Sequence, residues 1–226
     1  IQQGACSALV TCPINKKSLQ QAGYCYPGHT EMLAALCGNS PVSMMMAGPK
    51  LRVVLVTIHV ALNRVSQLLS GEEIIDCIRT TGLALRRDFG IPRPRIAVAA
   101  LNPHAGEGGL FGDEEERIIA PALADLSMEA EVSGPWPPDT IFHKAASGHF
   151  DAVIAMYHDQ GLVPFKLLHF ADGVNVTLGL PIVRTSVDHG TAYDIAGRNQ
   201  ADASSLLAAL TMAQSIVQHR RQWRQP

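Results

Sequence analysis

The feature that most constrains the fold is a series of short apolar runs of strand length that recur along the chain. These runs span residues 8–14, 42–47, 51–59, 95–101, 151–157 and 174–180. Several are continuously apolar rather than alternating, which is typical of strands in a sheet covered on both faces. The sequence therefore predicts buried strands of a largely parallel sheet.

Segments with helical periodicity lie between these runs. The clearest spans residues 72–88, where Ile74, Ile78 and Leu85 share one face and Ser70 precedes the first turn. A second helix is predicted over residues 204–223. Because strands and helices alternate, we expect an α/β fold with an open, largely parallel sheet in two interlocked lobes. No linker divides the 226 residues into independent domains.

Composition excludes several classes of protein. With 47% hydrophobic and 17% charged residues, the chain can bury a sizeable core. Its 18 basic and 20 acidic residues give a net charge of -2, which argues against nucleic acid as a partner. The apolar runs are too short to span a membrane. Five cysteines, an odd number without a C-x-x-C pair, predict a reduced, cytoplasmic setting.

Three of the nine histidines follow apolar runs directly, namely His59, His104 and His158. Ligands of open α/β sheets collect at the carboxyl ends of strands, so we expect the three imidazoles to converge. Three imidazoles suit zinc and related divalent ions and leave a coordination position open for a substrate oxygen. The alternative is that each histidine separately satisfies a buried hydrogen bond. The repeated placement favours a catalytic metal site.

The glycine-rich loop NPHAGEGGLFG, residues 102–112, invites comparison with a dinucleotide-binding fingerprint. The comparison fails, because Phe111 stands where the third glycine should be. The next helix is expected to open with four acidic residues, 113–116, which suit the helix dipole but would repel a pyrophosphate. We therefore predict that the glycines turn the backbone sharply and hold His104 near the metal.

Further polar residues cluster at the breaks between elements: His29, Thr30, Asp139, Lys166, Asn175 and Arg184. Lys166 and Arg184 offer cations for an anionic substrate group, and Asn175 adds a neutral donor. The alternative for such cations is a solvated surface charge. The segment 186–198, SVDHGTAYDIAGR, is dense in small and polar residues and is predicted to be a ligand-binding loop.

The motifs NPHAGEGG, YHDQG and SVDHGTA, in this order, resemble those of the PdxA family, the 4-hydroxythreonine-4-phosphate dehydrogenases of vitamin B6 biosynthesis. The resemblance covers essentially all of residues 1–226, which we expect to correspond to the C-terminal two-thirds of such an enzyme. It implies the fold of the isocitrate and isopropylmalate dehydrogenases.

The resemblance also implies a reaction. A metal-dependent oxidation with NAD or NADP would convert 4-phosphohydroxy-L-threonine to 2-amino-3-oxo-4-phosphooxybutanoate, which readily loses carbon dioxide. The metal would be one divalent ion per site, with zinc, cobalt, manganese and magnesium as candidates. The site would be shared between the two subunits of a homodimer.

Residue roles follow from the same resemblance. The metal ligands would be His59, His104 and His158. Substrate contacts would be His29, Thr30, Lys166, Asn175 and Arg184. The dinucleotide site would include Asp188, His189, Gly190, Thr191 and Asp194. We expect Asp139 to receive or relay the substrate proton, although a turn or helix-capping aspartate is an equal alternative.

Two other functions stay open at this point. A paralogous dehydrogenase of the same superfamily would act on 4-phospho-D-threonate or 4-phospho-D-erythronate, with the same cations serving either substrate. From a different class, the chain could be a truncated, inactive relic that keeps the metal-binding histidines without turnover.

Overall fold

The computed structural model of the protein describes residues 1–124, 126–128 and 130–223. Its eight strands are β1 (Leu9–Thr11), β2 (Ser43–Ala47), β3 (Arg52–Leu55), β4 (Arg95–Ala99), β5 (Glu131–Trp136), β6 (Ala152–Ala155), β7 (Val174–Leu178) and β8 (Arg184–Val187). Its α-helices are α1 (Lys16–Gln21), α2 (His29–Leu36), α3 (Val65–Leu68), α4 (Gly71–Arg87), α5 (Ala120–Ala124), α6 (Pro138–Ala146), α7 (His158–His169) and α8 (Ser204–Trp223).

The described strands form one sheet in the order β1-β8-β7-β2-β3-β6-β4-β5. Four of the seven neighbouring pairs are parallel, and the antiparallel pairs are β2 with β3, β2 with β7, and β7 with β8. The predicted α/β class and largely parallel sheet are confirmed. None of the described helices has the length and apolar character that crossing a bilayer requires.

All six predicted runs contain a strand, whereas β5 and β8 were not predicted. In β5, the Gly134–Pro135 pair resembles a turn in the sequence, yet the segment pairs with β4 across an irregular register. In β8, the polar side chains are buried and hydrogen-bonded: Thr185 Oγ1 donates to the Ala209 carbonyl at 2.9 Å. The loop was predicted over residues 186–198, but Ser186 and Val187 belong to β8. In the structure the loop therefore begins at Asp188.

The helices predicted over residues 72–88 and 204–223 are confirmed within one residue at each end. Ser70 caps α4, since its Oγ accepts from the Glu73 amide at 3.2 Å. The face of α4 that carries Ile74, Ile78 and Leu85 is fully buried against the sheet. Helix α8 spans the predicted residues and packs on the same side as α4.

Both faces of the sheet are covered, which explains the continuous apolar runs. Val54 of β3 belongs to the cluster under α4 and α8, whereas its neighbours Val53 and Leu55 belong to the cluster that contains Phe165 of α7. Burying such a side chain stabilises the fold by about 1.5–3 kcal/mol. Helices on the two faces therefore fix the three neighbouring parallel strands β3, β6 and β4, whose carboxyl ends lie at one edge.

Candidate functional site

Two of the three predicted metal ligands lie together at the edge where β3 and β6 end. The ring centroids of His59 and His158 are 5.8 Å apart. His158 begins α7, while His59 follows β3 through a segment that continues the pairing, since the Thr57 amide donates to the Met156 carbonyl at 3.1 Å. Neither histidine is a core residue. The two histidines are thus neighbours at the sheet edge, and their assignment as metal ligands stays a prediction.

The chemistry of these two imidazoles fits a divalent ion. Burial, followed by the charges of Lys16 and His158, lowers the pKa of His59, and Glu31 only partly offsets this, which favours the neutral form that binds a metal. His158 Nδ1 lies 2.7 Å from Asp159 Oδ1. A carboxylate at Nδ1 favours the tautomer that leaves Nε2 as the coordinating nitrogen.

His104 is exposed, and its ring lies beside that of Phe111, with centroids 6.2 Å apart. Among the described residues, no three His, Cys, Asp or Glu side chains gather closely enough to hold a metal. A single chain thus brings together two of the predicted ligands, and the assignment of His104 stays a prediction.

The loop that carries His104 is a left-handed turn. Residues 104–109 all have positive φ, including the non-glycines His104 (53°), Ala105 (55°) and Glu107 (47°). Each such residue costs roughly 1–2 kcal/mol relative to the right-handed conformation. Glu115 stabilises the turn from below, because its Oε1 accepts from the amides of Leu101 and Asn102 at 2.8 Å each.

Residues 113–116 were expected to interact with the positive end of a helix dipole. Glu115 has a further role, because it binds the backbone that leads into the His104 turn. Glu115 is buried at 4% exposure, and its Oε2 accepts from Asn102 Nδ2 at 3.0 Å. It begins a π-helical turn, Glu115–Ile119, that leads into α5. Sequence reasoning missed this role, since one glutamate among four acidic neighbours carries no mark of burial.

Arg184 is a buried cation whose hydrogen-bond partners in the described part of the chain are hydroxyl groups. Its Nη2 donates to Thr11 Oγ1 at 2.8 Å and its Nη1 to Thr177 Oγ1 at 2.9 Å. Within the described part of the chain it forms no ion pair with a carboxylate. Burial lowers its pKa to about 10, partly offset by the charge of Glu31. Such a charge is available for an anionic ligand, so the solvated-charge alternative is wrong for Arg184.

Helix α2 brings two predicted residues and one unexpected one to the same region. His29 and Thr30 form its first turn, and burial followed by the charge of Arg184 lowers the pKa of His29. Glu31, the next residue, acts electrostatically on both Arg184 and His59. Sequence reasoning missed Glu31, although its position directly after His29 and Thr30 could have marked it.

Lys166 and Asp188 form an ion pair, with Nζ 3.3 Å from Oδ2. Burial raises the pKa of Asp188, and the charges of Lys166, His158 and His189 oppose this rise. Asp188 was expected in the dinucleotide loop, whereas Lys166 was expected to contact substrate. The predicted substrate site and the predicted dinucleotide loop are therefore in contact through this ion pair, and His158 acts electrostatically on Asp188.

Asn175 lies in β7 opposite Ser186 of β8. Its Oδ1 is buried and has no hydrogen-bond partner among the described residues. A buried amide oxygen without a partner costs about 1–3 kcal/mol, which a bound ligand that donates a hydrogen bond would recover. This orphaned atom agrees with the predicted contact to substrate.

The predicted dinucleotide loop is exposed at His189, Gly190, Thr191 and Asp194. It lines a groove together with Cys12 and Pro13, which follow β1. The pairing of β1 with β8 therefore places the chain after one strand beside the loop after the other.

Asp139 is exposed in the first turn of α6. It lines a largely apolar groove together with Tyr157 and Asp159, the two neighbours of His158. Helix α6 begins after Pro137, so Asp139 is not its capping residue. The structure places this carboxylate on the His158 side of the sheet, without direct contact to the histidines.

Comparison with known proteins adds to this geometry. Residues 1–213 match the family model described as pyridoxal phosphate biosynthetic protein PdxA. A curated relative from Desulfosudis oleivorans, named 4-hydroxythreonine-4-phosphate dehydrogenase, is 65% identical over 93% of this chain. The chain spans 63% of the length of that relative.

Solved structures of related dehydrogenases have a similar fold. A crystal structure of 4-hydroxythreonine-4-phosphate dehydrogenase from Klebsiella pneumoniae has a TM-score of 0.88 and 48% identity, covering 96% of this chain and 66% of its own. A terephthalate 1,2-cis-dihydrodiol dehydrogenase from Burkholderia xenovorans has a TM-score of 0.71 and 30% identity, covering 95% and 68%. Because the family model extends over 213 of the 226 residues, the chain belongs to the PdxA family of pyridoxal phosphate biosynthetic proteins.

Proposed function

We propose that this chain carries the active-site residues of a metal-dependent dehydrogenase that oxidises 4-phosphohydroxy-L-threonine with NAD or NADP as hydride acceptor. The product, 2-amino-3-oxo-4-phosphooxybutanoate, would then lose carbon dioxide on the route to vitamin B6. The observation that carries the proposal is the His59–His158 pair, whose ring centroids are 5.8 Å apart, and Glu31 links this pair electrostatically to buried Arg184. The activity named for close relatives supports it.

The phosphate of the substrate would bind near Arg184. Within the described residues the hydrogen-bond partners of this guanidinium are the neutral hydroxyls of Thr11 and Thr177, which leave its positive charge for an anion. His29 and Thr30, at the start of α2, would contribute further contacts. Lys166 and Asn175 would contact the rest of the substrate, and binding would give the Asn175 oxygen its missing donor.

His59 and His158 would hold the divalent cation, with His104 supplied by a second copy of the chain. When bound, the cation would lower the pKa of the substrate hydroxyl and favour its ionisation. Three imidazoles favour zinc or cobalt over magnesium. Asp139, on the His158 side of the sheet, would accept the hydroxyl proton at its carboxylate.

A homodimer is the natural consequence of this arrangement. His104 is exposed in a loop that also exposes Leu110 and Phe111, at 72% and 48%. Apolar side chains are likewise exposed at the end of α7 and directly after it, with Leu167 85% and Phe170 82% exposed. Exposed apolar surface of this extent beside an incomplete site is typical of a subunit interface.

The loop that contains Asp188, His189, Gly190, Thr191 and Asp194 would bind the dinucleotide in its groove beside Cys12 and Pro13. The small residues would allow close approach of a ligand to the backbone. We also keep the cytoplasm as the proposed location, where the five free cysteines would stay reduced.

The substrate has an open alternative, 4-phospho-D-threonate or 4-phospho-D-erythronate. The similarity to a protein named terephthalate 1,2-cis-dihydrodiol dehydrogenase supports keeping it, because one fold can serve different diols. A parallel assay of NAD reduction with each substrate distinguishes the candidates. We expect the hydroxythreonine phosphate to give the highest kcat/KM, and a higher value for either sugar-acid phosphate would reassign the enzyme.

The same assay tests activity as such. We expect NAD reduction by the chain to require added divalent cation and to be abolished in His158→Ala, whereas His149→Ala, an exposed histidine after α6, should behave as wild type. No cation-dependent reduction by this chain, with a full-length relative active in parallel, would instead support the inactive relic.

A further inference from the structure

The His104 turn requires an explanation beyond its glycines. His104, Ala105 and Glu107 adopt the left-handed conformation that side chains normally avoid. The glycines permit the turn at their own positions, but they do not force these three residues into it. Backbone hydrogen bonds close the turn, since the Gly109 and Phe111 amides donate to the Gly106 carbonyl at 3.0 and 3.1 Å, but the segment that enters the turn is held by a side-chain group.

Glu115 is that group. Its two carboxylate oxygens accept three hydrogen bonds from the segment that leads into the turn: from the amides of Leu101 and Asn102, and from Asn102 Nδ2. A Cβ added at Gly106 would lie 2.8 Å from Glu115 Oε2, so the carboxylate is directly beneath the turn. Glu115 has no cationic partner among the described residues, so its charge is directed at these N–H groups.

We propose that Glu115 is a positioning residue that holds the 101–108 segment so that His104 is presented to the divalent cation. The inference rests on the proposed function, because it takes His104 as a ligand. A carboxylate is suited to this role since it is an acceptor only. A glutamine would turn an N–H group toward one of the three donors.

The test is a titration of the full chain with Co²⁺, in which the visible absorption of the bound ion measures binding. The variants are Glu115→Ala, which removes all three acceptor contacts, and Glu115→Gln, which keeps the shape of the side chain. The neighbouring exposed residue supplies matched controls, Glu116→Ala and Glu116→Gln.

We expect Glu115→Ala to weaken Co²⁺ binding by about 10- to 100-fold, the range for groups that orient metal ligands, and Glu115→Gln to recover part of the loss. The Co²⁺ spectrum should also change shape, and both Glu116 variants should bind within about twofold of wild type. If Glu115→Ala does not fold, as judged by circular dichroism, the isosteric Glu115→Gln decides. Wild-type affinity and spectrum in a folded Glu115 variant would overturn the inference.

His104→Ala, titrated in parallel, separates this inference from the function on which it rests. Loss of Co²⁺ binding in His104→Ala with unchanged binding in the Glu115 variants would overturn the positioning role alone. Unchanged binding in His104→Ala, or no binding by wild type, would overturn the ligand assignment and the inference together.

Discussion

His59 and His158 face each other because the strands that lead to them pair in register, with Leu55 of β3 opposite Ala155 of β6. The distance of 5.8 Å between the ring centroids is therefore set by the sheet. Helix α7 begins at His158 itself, so its imidazole is carried on a rigid element rather than on a mobile loop.

Removing either histidine should abolish divalent-metal binding with little effect on folding. Because both side chains lie outside the core, we expect His59→Ala and His158→Ala to keep stability within about 0.5 kcal/mol. Affinity for Co²⁺ should fall by more than about 100-fold, which exceeds the effect of removing a group that only orients a ligand. Isothermal titration calorimetry measures this, with His149→Ala as control. Retained affinity in His59→Ala would remove that residue from the site.

Arg184 should dominate the affinity for phosphate. A hydrogen bond to a charged group contributes about 1.5–3 kcal/mol, so Arg184→Met should weaken inorganic phosphate binding by about 10- to 100-fold, and Arg184→Lys by less. Exposed Arg79→Met is the control. Equal phosphate affinity in wild type and Arg184→Met, measured calorimetrically, would place the anion elsewhere.

The pKa of Arg184 adds a dependence on pH. Burial lowers this pKa to about 10, and only the protonated guanidinium attracts an anion. Once inorganic phosphate has lost its second proton, its affinity should therefore be constant up to about pH 9 and decline as the pH rises through 10. Arg184→Met should lack this decline, and an identical decline in the variant would assign it to another group.

Gly161 should be required for the packing of α7 on β3. A Cβ at this position would lie 2.5 Å from Val53 Cγ1 and 2.8 Å from Leu55 Cδ2. Overpacking of this kind costs about 1–3 kcal/mol, which we expect for Gly161→Ala in urea unfolding. Gly190→Ala, where the added methyl group meets open space, should be near neutral. Equal stability of the two variants would show that α7 shifts without cost.

Asp88 should make stability depend on acid pH. Burial alone would raise its pKa, but hydrogen bonds and charges from Arg220 and Arg87 outweigh burial and lower it. Arg220 Nε lies 2.7 Å from Oδ1, which ties α8 to the end of α4. A carboxylate whose pKa is lowered by folding stabilises the fold above its unfolded pKa, and this contribution is lost as the pH falls through the folded pKa.

The corresponding variant is Asp88→Asn, which leaves two largely buried guanidiniums without their anion. We expect a loss of about 3 kcal/mol at pH 7, near the value for breaking a buried pair. The difference from wild type should shrink below pH 4, as wild-type Asp88 becomes protonated. Urea unfolding across this range measures it, and a difference independent of pH would contradict the assignment.

The sequence predicts the parts of this molecule that follow from periodicity. Continuous apolar runs mark strands covered on both faces, and the stripe of Ile74, Ile78 and Leu85 marks α4. Strand β8 escaped prediction because its polar residues are satisfied by contacts distant in sequence, such as that of Ser186 Oγ with the Thr11 carbonyl at 3.0 Å. Residue pattern does not reveal such long-range hydrogen bonds.

As with the fold, only part of the candidate site could be predicted from the sequence. Placement after strands brings His59 and His158 together as expected, since topology alone controls it. The role of Glu115 depends on a loop folding back over a helix start, and that of Glu31 on the approach of α2 to β8. The separation of His104 from the other two histidines reflects the path of its left-handed turn, which no spacing rule specifies.

The central claim is that one divalent cation is held by His59 and His158 of one chain and His104 of a second copy. Anomalous scattering from crystals grown with Zn²⁺ tests it most directly. We predict a single peak per site, about 2.0–2.1 Å from a nitrogen of each of the three imidazoles, with His104 contributed by the other copy. A peak bound elsewhere, or none between His59 and His158, would contradict the account.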